Sequence, residues 1–364
     1  MTGFADFDAG SFLAQYWQRK PLLLKQALPG FQNPLSAEEL AGLALEEDVE
    51  ARLVRQQDNN WQLEPGQLHE ASFQGDQPWT LLVQAVDHYV PEVAALRDLL
   101  SFLPSWRFDD VMVSYATDGG GVGPHYDNYD VFLLQGEGQR CWQLGQQCEV
   151  DAELLPNDAL RILSNFEPSA EYLLEPGDIL YVPPGLAHWG SAVGECMTYS
   201  LGLRAPRIND MLGRWLDGVL ESVQAELFYQ DPPLQAATSS GEIDTAAYAK
   251  AIAMLQDTLR QASADPRWFG ELLTEPRYSV AGAAEDCKLP EAVRQEPSAR
   301  LAWTRAPDQQ LMVFANGQSC SAAQEALPLL QALCSGSRIE ANSLTGAERE
   351  LLLWIYQQGC CRDD

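Results

Sequence analysis

Ten Trp in 364 residues, a 46% hydrophobic fraction and 52 acidic against 23 basic residues describe a well-packed acidic protein, too long for one typical core. The net charge of −29 argues against nonspecific binding to nucleic-acid phosphates or anionic membranes, and for a basic partner. The eight Cys (Cys141, Cys148, Cys196, Cys287, Cys320, Cys334, Cys360 and Cys361) form no C-x-x-C pair, which disfavours zinc ribbons, and a chain of this size needs no disulfide framework.

The opening residues Met1–Asp8 show neither the basic nor the apolar region of a secretory signal. No run approaches the length of a membrane span, so a cytoplasmic protein is expected. Phe12–Leu24 reads as a short helix followed by a strand, with Lys20-Pro21 marking the break. Ser36-Ala37-Glu38-Glu39 is a capping box that opens a helix through Leu45. Between Trp79 and Leu103 the apolar positions recur at helical spacing, predicting two helices divided by Pro91, with His88 structural.

Past Pro104 the pattern changes to strands: Val111–Tyr115, Val131–Gln135, Arg140–Leu144, Glu171–Leu174, Ile179–Val182 and Met197–Leu203. Gly136-Glu137-Gly138 reads as the turn of a hairpin between the second and third of these. Many short strands separated by Gly/Pro turns predict a barrel or jelly roll, whose interior holds one metal and a small ligand. Beyond Arg204 the texture is helical. Met211, Leu212, Trp215, Leu216, Val219, Leu220 and Val223 make one apolar face, and two more helices are expected over Ala246–Ala262 and Pro266–Leu273. This block is too short to bury a core alone, so a homodimer built on it is expected.

In the tail, Leu301–Trp303 and Gln310–Phe314 are strands, Asn316-Gly317 is a hairpin turn, and Ala322–Leu333 and Ala347–Gln357 are helices. The mixture is winged-helix-like. Acidic residues outnumber basic ones there too, so packing or protein contact is expected and direct DNA binding is not. The expected organisation is a mainly β fold with α: a barrel over 1–204, a helical dimerisation block over 205–274 and a winged-helix-like domain over 275–364.

The chemistry lies in Gly119-Gly120-Gly121-Val122-Gly123-Pro124-His125-Tyr126-Asp127. In an extended segment, His125 and Asp127 point the same way, because a strand alternates faces with period two. They supply two thirds of the two-His-one-carboxylate set that holds catalytic iron with open positions. The chain has four His (His69, His88, His125 and His188), and His188 is the candidate third ligand, presented after Pro176-Gly177-Asp178, a short apolar strand and Pro183-Pro184-Gly185. Fe(II) in such a set activates dioxygen with electrons from a cosubstrate, usually 2-oxoglutarate, whose far carboxylate needs a buried cation. Arg140 is the basic residue in the strand after the His-x-Asp segment, with a guanidinium suited to bidentate grip, and Ser114 adds a hydroxyl.

The run Tyr126–Leu144, the later Pro176-Gly177-Asp178, Pro183-Pro184-Gly185 and His188-Trp189, and the Tyr16-Trp17 and Lys20-Pro21 opening resemble the JmjC-type ribosomal oxygenases. The likeness is greatest to the bacterial branch that hydroxylates an arginyl side chain of a large-subunit ribosomal protein. It covers essentially the whole chain. The resemblance implies a double-stranded β-helix (the cupin-like jelly roll), iron held by His125, Asp127 and His188, and 2-oxoglutarate held by Arg140 and Ser114. It also implies C3 hydroxylation of an arginine on the sixteenth large-subunit ribosomal protein, a basic substrate whose guanidinium Asp118 could meet at the barrel mouth. Many JmjC relatives carry Lys where Arg140 stands. The alternatives are a JmjC histidyl hydroxylase or lysyl demethylase, or a non-catalytic cupin-like regulatory protein.

Overall fold

A computed structural model describes residues 3–57, 60–156, 160–223, 226–234, 241–262, 267–278, 287–306 and 309–364. The expected helix start at Pro266 lies outside the described residues. The chain divides into two compact units, Met1–Ala205 and Pro206–Asp364.

The first unit begins with helix α1 (Ala9–Gln15), whose first turn is capped by Asp8 accepting the Ser11 N–H at 2.7 Å. Strand β1 (Leu22–Leu24) follows, then α2 (Ala37–Leu43), where Ser36 and Glu39 close the expected capping box in both directions. The remaining elements are β2 (Ala51–Gln57), β3 (Asn60–Pro65), β4 (Trp79–Val83), the one-turn helix α3 (Pro91–Ala94), β5 (Phe108–Ala116), β6 (Val131–Gln147), β7 (Ala170–Leu174), β8 (Ile179–Val182) and β9 (Leu186–Leu203). Among the described residues these strands form one antiparallel sheet in the order β1-β8-β6-β9-β5-β4-β2-β3, with β7 also on β6. The α-helices and one face of the sheet enclose a core that includes Phe12, Leu40, Leu53, Leu81, Leu96, Phe132, Tyr181 and Tyr199.

Three expectations need correction here. The hairpin at Gly136-Glu137-Gly138 does not form: β6 runs unbroken for 17 residues along β9, with the register slipping at Gln135/Glu137 and Glu137/Gln139. The glycines serve bulges. A Cβ on Gly136 would enter the Tyr199 ring, and one on Gly138, at φ +63°, would strike the Glu195 carbonyl. Trp79–Val83 is a strand and not a helix, because a short apolar run bounded by turns carries no decisive period and here finds partners on both sides in β2 and β5. Pro91 occupies the first turn of α3, which a 3₁₀ segment over Ala95–Leu100 extends; what precedes it is one 3₁₀ turn, Val86–His88, in place of the expected full helix. The antiparallel pair β2–β3, Arg52 to Gln57 against Asn60 to Pro65, has no counterpart among the expected strands.

The second unit holds α4 (Ile208–Ser222), α5 (Thr245–Ala262), α6 (Arg267–Thr274), β10 (Ala292–Gln295), β11 (Leu301–Arg305), β12 (Leu311–Ala315), β13 (Gln318–Ala322), α7 (Leu327–Cys334), β14 (Ile339–Glu340), α8 (Gly346–Gln357) and β15 (Cys361–Asp363). Strands β11, β12 and β13 form a meander, and β14-β10-β15 a second small sheet. The turn between β12 and β13 is the expected Asn316-Gly317, with φ of 46° and 82°, the left-handed pair that a two-residue hairpin requires. Val293, Leu330, Leu333, Leu352 and Ile355 are the centre of this unit's core. No helix among the described residues is long and apolar enough to cross a membrane.

Candidate metal centre

The glycine cluster before His125 is a matter of close approach. A Cβ on Gly120 would stand 2.5 Å from the Trp79 carbonyl oxygen, and one on Gly121 equally close to that of Gly190. Only glycine lets this segment lie between β4 and β9. His125 is not inside a regular strand but forms a single antiparallel bridge with His188 in β9. The two backbones exchange both hydrogen bonds, His125 N–H to His188 O at 3.0 Å and His188 N–H to His125 O at 2.8 Å. Directly opposed residues present their side chains on the same face. The imidazole centroids are accordingly 4.3 Å apart. Asp127, two residues on, is pinned by Gly185 N–H donating to its carbonyl at 2.7 Å. Its Oδ2 reaches 3.7 Å from His188 Nε2, and the ligand atoms of His125, Asp127 and His188 all lie within 4.8 Å of one another.

Both rings are held in the tautomer a metal needs. His125 Nδ1 lies 2.9 Å from the Gly123 carbonyl and His188 Nδ1 2.9 Å from the Leu186 carbonyl. A carbonyl only accepts, so each Nδ1 carries the proton and each Nε2 keeps its lone pair. His188 is 2% exposed. Burial first, then the neighbouring His125, push its pKa down to about 4, against the pull of Asp127. Two imidazoles with Nε2 turned to the site and one carboxylate make an N,N,O donor set suited to a divalent transition metal.

Alternation along β6 and β9 builds the second half of the site. Cross-strand partners Leu144 and His188, Trp142 and Gly190, and Arg140 and Ala192 share one face. Trp142 spans the interval: its ring lies 5.8 Å from that of His188 and 5.1 Å from the Arg140 guanidinium carbon. Arg140 is 3% exposed, and burial lowers its pKa. Its Nη1 donates to Ser114 Oγ at 3.2 Å and Thr198 Oγ1 at 3.5 Å, its Nη2 to the Gly190 carbonyl at 3.4 Å, and its Nε has no partner among the described residues. No carboxylate among the described residues forms an ion pair with it. A buried cation solvated only by neutral oxygens, with an unused N–H, fits an anion that is not part of the chain.

The structure thus brings His125, Asp127 and His188 into one cluster and Arg140 and Ser114 into another, with Trp142 between them. Asp118 lies apart from both at an exposed turn, its Oδ1 accepting the Gly194 N–H at 2.8 Å. Thr198, Trp142 and Gly190 were not singled out from the sequence. Their signal is the β6–β9 register, which no single strand discloses.

Residues 95–211 match the JmjC domain, and residues 263–361 the ROXA-like winged helix. The jelly roll with its His/Asp/His cluster, and the winged helix that follows, define a JmjC-domain protein with a cupin-like fold, as expected. Over 92% of its length the chain is 35% identical to the ribosomal protein uL16 3-hydroxylase of Escherichia coli K12, covering 91% of that protein. It is likewise 35% identical to a probable ribosomal oxygenase of Haemophilus influenzae, over 84% of this chain and 80% of that one. The X-ray structure of E. coli YcfD matches with a TM-score of 0.84 at 32% identity over 98% of each chain. The structure of YcfD, a ribosomal oxygenase, in complex with cobalt and 2-oxoglutarate matches with a TM-score of 0.83 at 32% identity over 99% of each. The chain belongs to the ribosomal oxygenase family.

Proposed function

We propose that this protein is an Fe(II)- and 2-oxoglutarate-dependent oxygenase that hydroxylates C3 of an arginyl side chain of the large-subunit ribosomal protein uL16. His125, Asp127 and His188 would hold the iron, and Arg140 with Ser114 the far carboxylate of 2-oxoglutarate. When bound, iron and 2-oxoglutarate activate dioxygen, the second cosubstrate, and supply the oxidising power to insert oxygen into a C–H bond. The chain's own share is to orient. The two Nδ1–H bonds turn both Nε2 atoms toward the site, the buried Trp142 indole separates the metal donors from the cation, and the guanidinium would fix the cosubstrate's distal end. The observation that carries the reading is Arg140, a buried cation with no acidic partner among the described residues, one indole away from three convergent metal donors.

The uL16 assignment rests on the E. coli relative named for that substrate, which spans nearly all of the chain. Relatives named as bifunctional lysine-specific demethylase and histidyl-hydroxylase match only part of it; the Aedes aegypti protein covers 50% of this chain at 27% identity. A net charge of −29 suits a basic ribosomal substrate. The exposed Asp118 carboxylate, steadied at Oδ1 by Gly194 N–H, is the candidate partner for the incoming guanidinium. A cytoplasmic location accompanies a ribosomal substrate.

A homodimer belongs to the same reading. Helix α4 exposes Ile208, Leu212, Leu216 and Leu220 at four-residue spacing, and α5 exposes Tyr248, Ile252 and Leu255. The organisation proposed is catalytic over 1–204, dimerising over 205–274 and winged-helix-like over 275–364, the last a protein-contact module and not a DNA reader. The test of the activity is release of succinate from 2-oxoglutarate. It should require added Fe(II) and vanish in His125→Ala and Asp127→Ala while both variants keep their circular dichroism. Undiminished release from either variant would refute the ligand assignment.

A further inference from the structure

The hydrogen atoms around Arg140 can be assigned one by one. Gln135 is fully buried on β6, and its Nε2 donates to the Glu137 carbonyl at 2.8 Å and the Met197 carbonyl at 3.2 Å. Two carbonyls take both amide hydrogens, so Oε1 has one possible orientation, toward Thr198. The Thr198 hydroxyl donates its single hydrogen there, at 3.1 Å. Its lone pairs are then left for Arg140 Nη1. Ser114 ends in the same state, since its hydroxyl donates to the Thr198 carbonyl at 3.5 Å and accepts from Nη1.

The same glutamine ties this arrangement to the backbone. Its amide bonds bridge the β6 bulge, where pairing with β9 slips from Gln135–Thr198 to Glu137–Met197. Its own N–H donates to the Asp178 carbonyl at 3.0 Å, and its carbonyl accepts from Gly177 N–H at 2.9 Å. The Pro-Gly-Asp turn thereby anchors the residue that sets the direction of the Thr198 hydroxyl.

We infer that Gln135 and Thr198 are positioning residues for 2-oxoglutarate: Gln135 turns the Thr198 hydroxyl so that it only accepts from Arg140, which fixes the guanidinium plane presented to the cosubstrate's far carboxylate. This rests on the proposed role of Arg140 and deepens it. Neither residue touches the reacting atoms. Without the Gln135 acceptor the hydroxyl hydrogen would have no fixed direction, and the lone pairs that meet Arg140 Nη1 would lose theirs.

The test is calorimetric titration of the Mn(II)-loaded full-length protein with N-oxalylglycine, an unreactive 2-oxoglutarate analogue, alongside KM and kcat for 2-oxoglutarate. Thr198→Val should weaken N-oxalylglycine binding about tenfold and raise KM with little change in kcat, while Thr198→Ser stays within about twofold of the parent. Gln135→Met should weaken binding about threefold or more, and the double variant should bind no worse than Thr198→Val alone, because one residue acts through the other. Thr198→Ala serves if the valine variant does not fold. Binding by Thr198→Val or Thr198→Ala within twofold of the parent overturns the inference, as does a double variant whose loss is the product of the single losses. Arg140→Met separates the two levels. Weakened binding there without an effect at Thr198 overturns the relay alone, and undiminished binding there overturns the role of Arg140 with it.

Discussion

Gly190 makes room for Arg140: a Cβ at residue 190 would stand 2.7 Å from the Arg140 Nε and 2.8 Å from the Trp142 ring. The glycine two residues after His188 thus shapes the proposed cosubstrate pocket through what it lacks. Gly190→Ala should force the guanidinium and indole apart, raising the KM for 2-oxoglutarate about tenfold and destabilising the fold by about 1–3 kcal/mol from overpacking. Steady-state kinetics and a thermal melt check this. An unchanged KM would mean that the pocket yields freely.

Gly138 is the sharper case for stability. It combines φ +63° with a direct conflict between any Cβ and the Glu195 backbone carbonyl. Gly138→Ala should cost about 3 kcal/mol or more, since a backbone atom cannot swing aside as a side chain can. Urea denaturation gives the number, and a loss under about 1 kcal/mol would show the bulge to be plastic.

The buried Asp87 gives the fold a pH dependence. Its carboxylate accepts Val111 N–H at 2.8 Å, and its Oδ2 stands 4.0 Å from His88 Nε2. Burial, with the charge of Asp110 adding to it, raises its pKa to about 7 against the pull of the Val111 hydrogen bond and of Arg97. The folded state therefore keeps a proton that the unfolded chain releases near the ordinary aspartate value of about 4. This group's contribution to stability is intact below about pH 4 and is lost as pH rises toward and through 7. Asp87→Asn should melt several degrees higher than the parent at pH 8, with the gap narrowing as pH falls. Equal melting temperatures at pH 8 would remove Asp87 from the account.

The apolar stripe on α4 should govern assembly. Leu212 is 47% exposed and Leu220 71%. Leu212→Glu combined with Leu220→Glu should convert a dimer to a monomer in sedimentation, without loss of helical signal. A dimer that survives both changes uses another surface.

Much of this arrangement is legible in the sequence, for reasons that differ by residue. His125 and His188 stand out because His is scarce and both lie among Gly and Pro, where turns set a ligand at a strand end. Asn316-Gly317 and the Ser36 capping box are local devices, and local chemistry decides them. Trp79–Val83 misleads because its pairing partners β2 and β5 lie 28 residues before it and 29 after it, counted from first residue to first residue (79 − 51 and 108 − 79). Gly136 and Gly138 mislead because a bulge and a turn call for the same residue, and only the approach of Tyr199 and Glu195 tells them apart. Thr198 and Gln135 are hidden for a related reason. Their roles exist only once β6 and β9 are in register.

The most direct measurement is peptide-level mass spectrometry of uL16 after incubation with the protein, Fe(II) and 2-oxoglutarate in air. A one-oxygen increase is expected on a single arginine, placed at C3 by fragmentation and amino-acid analysis, and none with His125→Ala. Unmodified uL16, or an added oxygen on a histidine in its place, would contradict it.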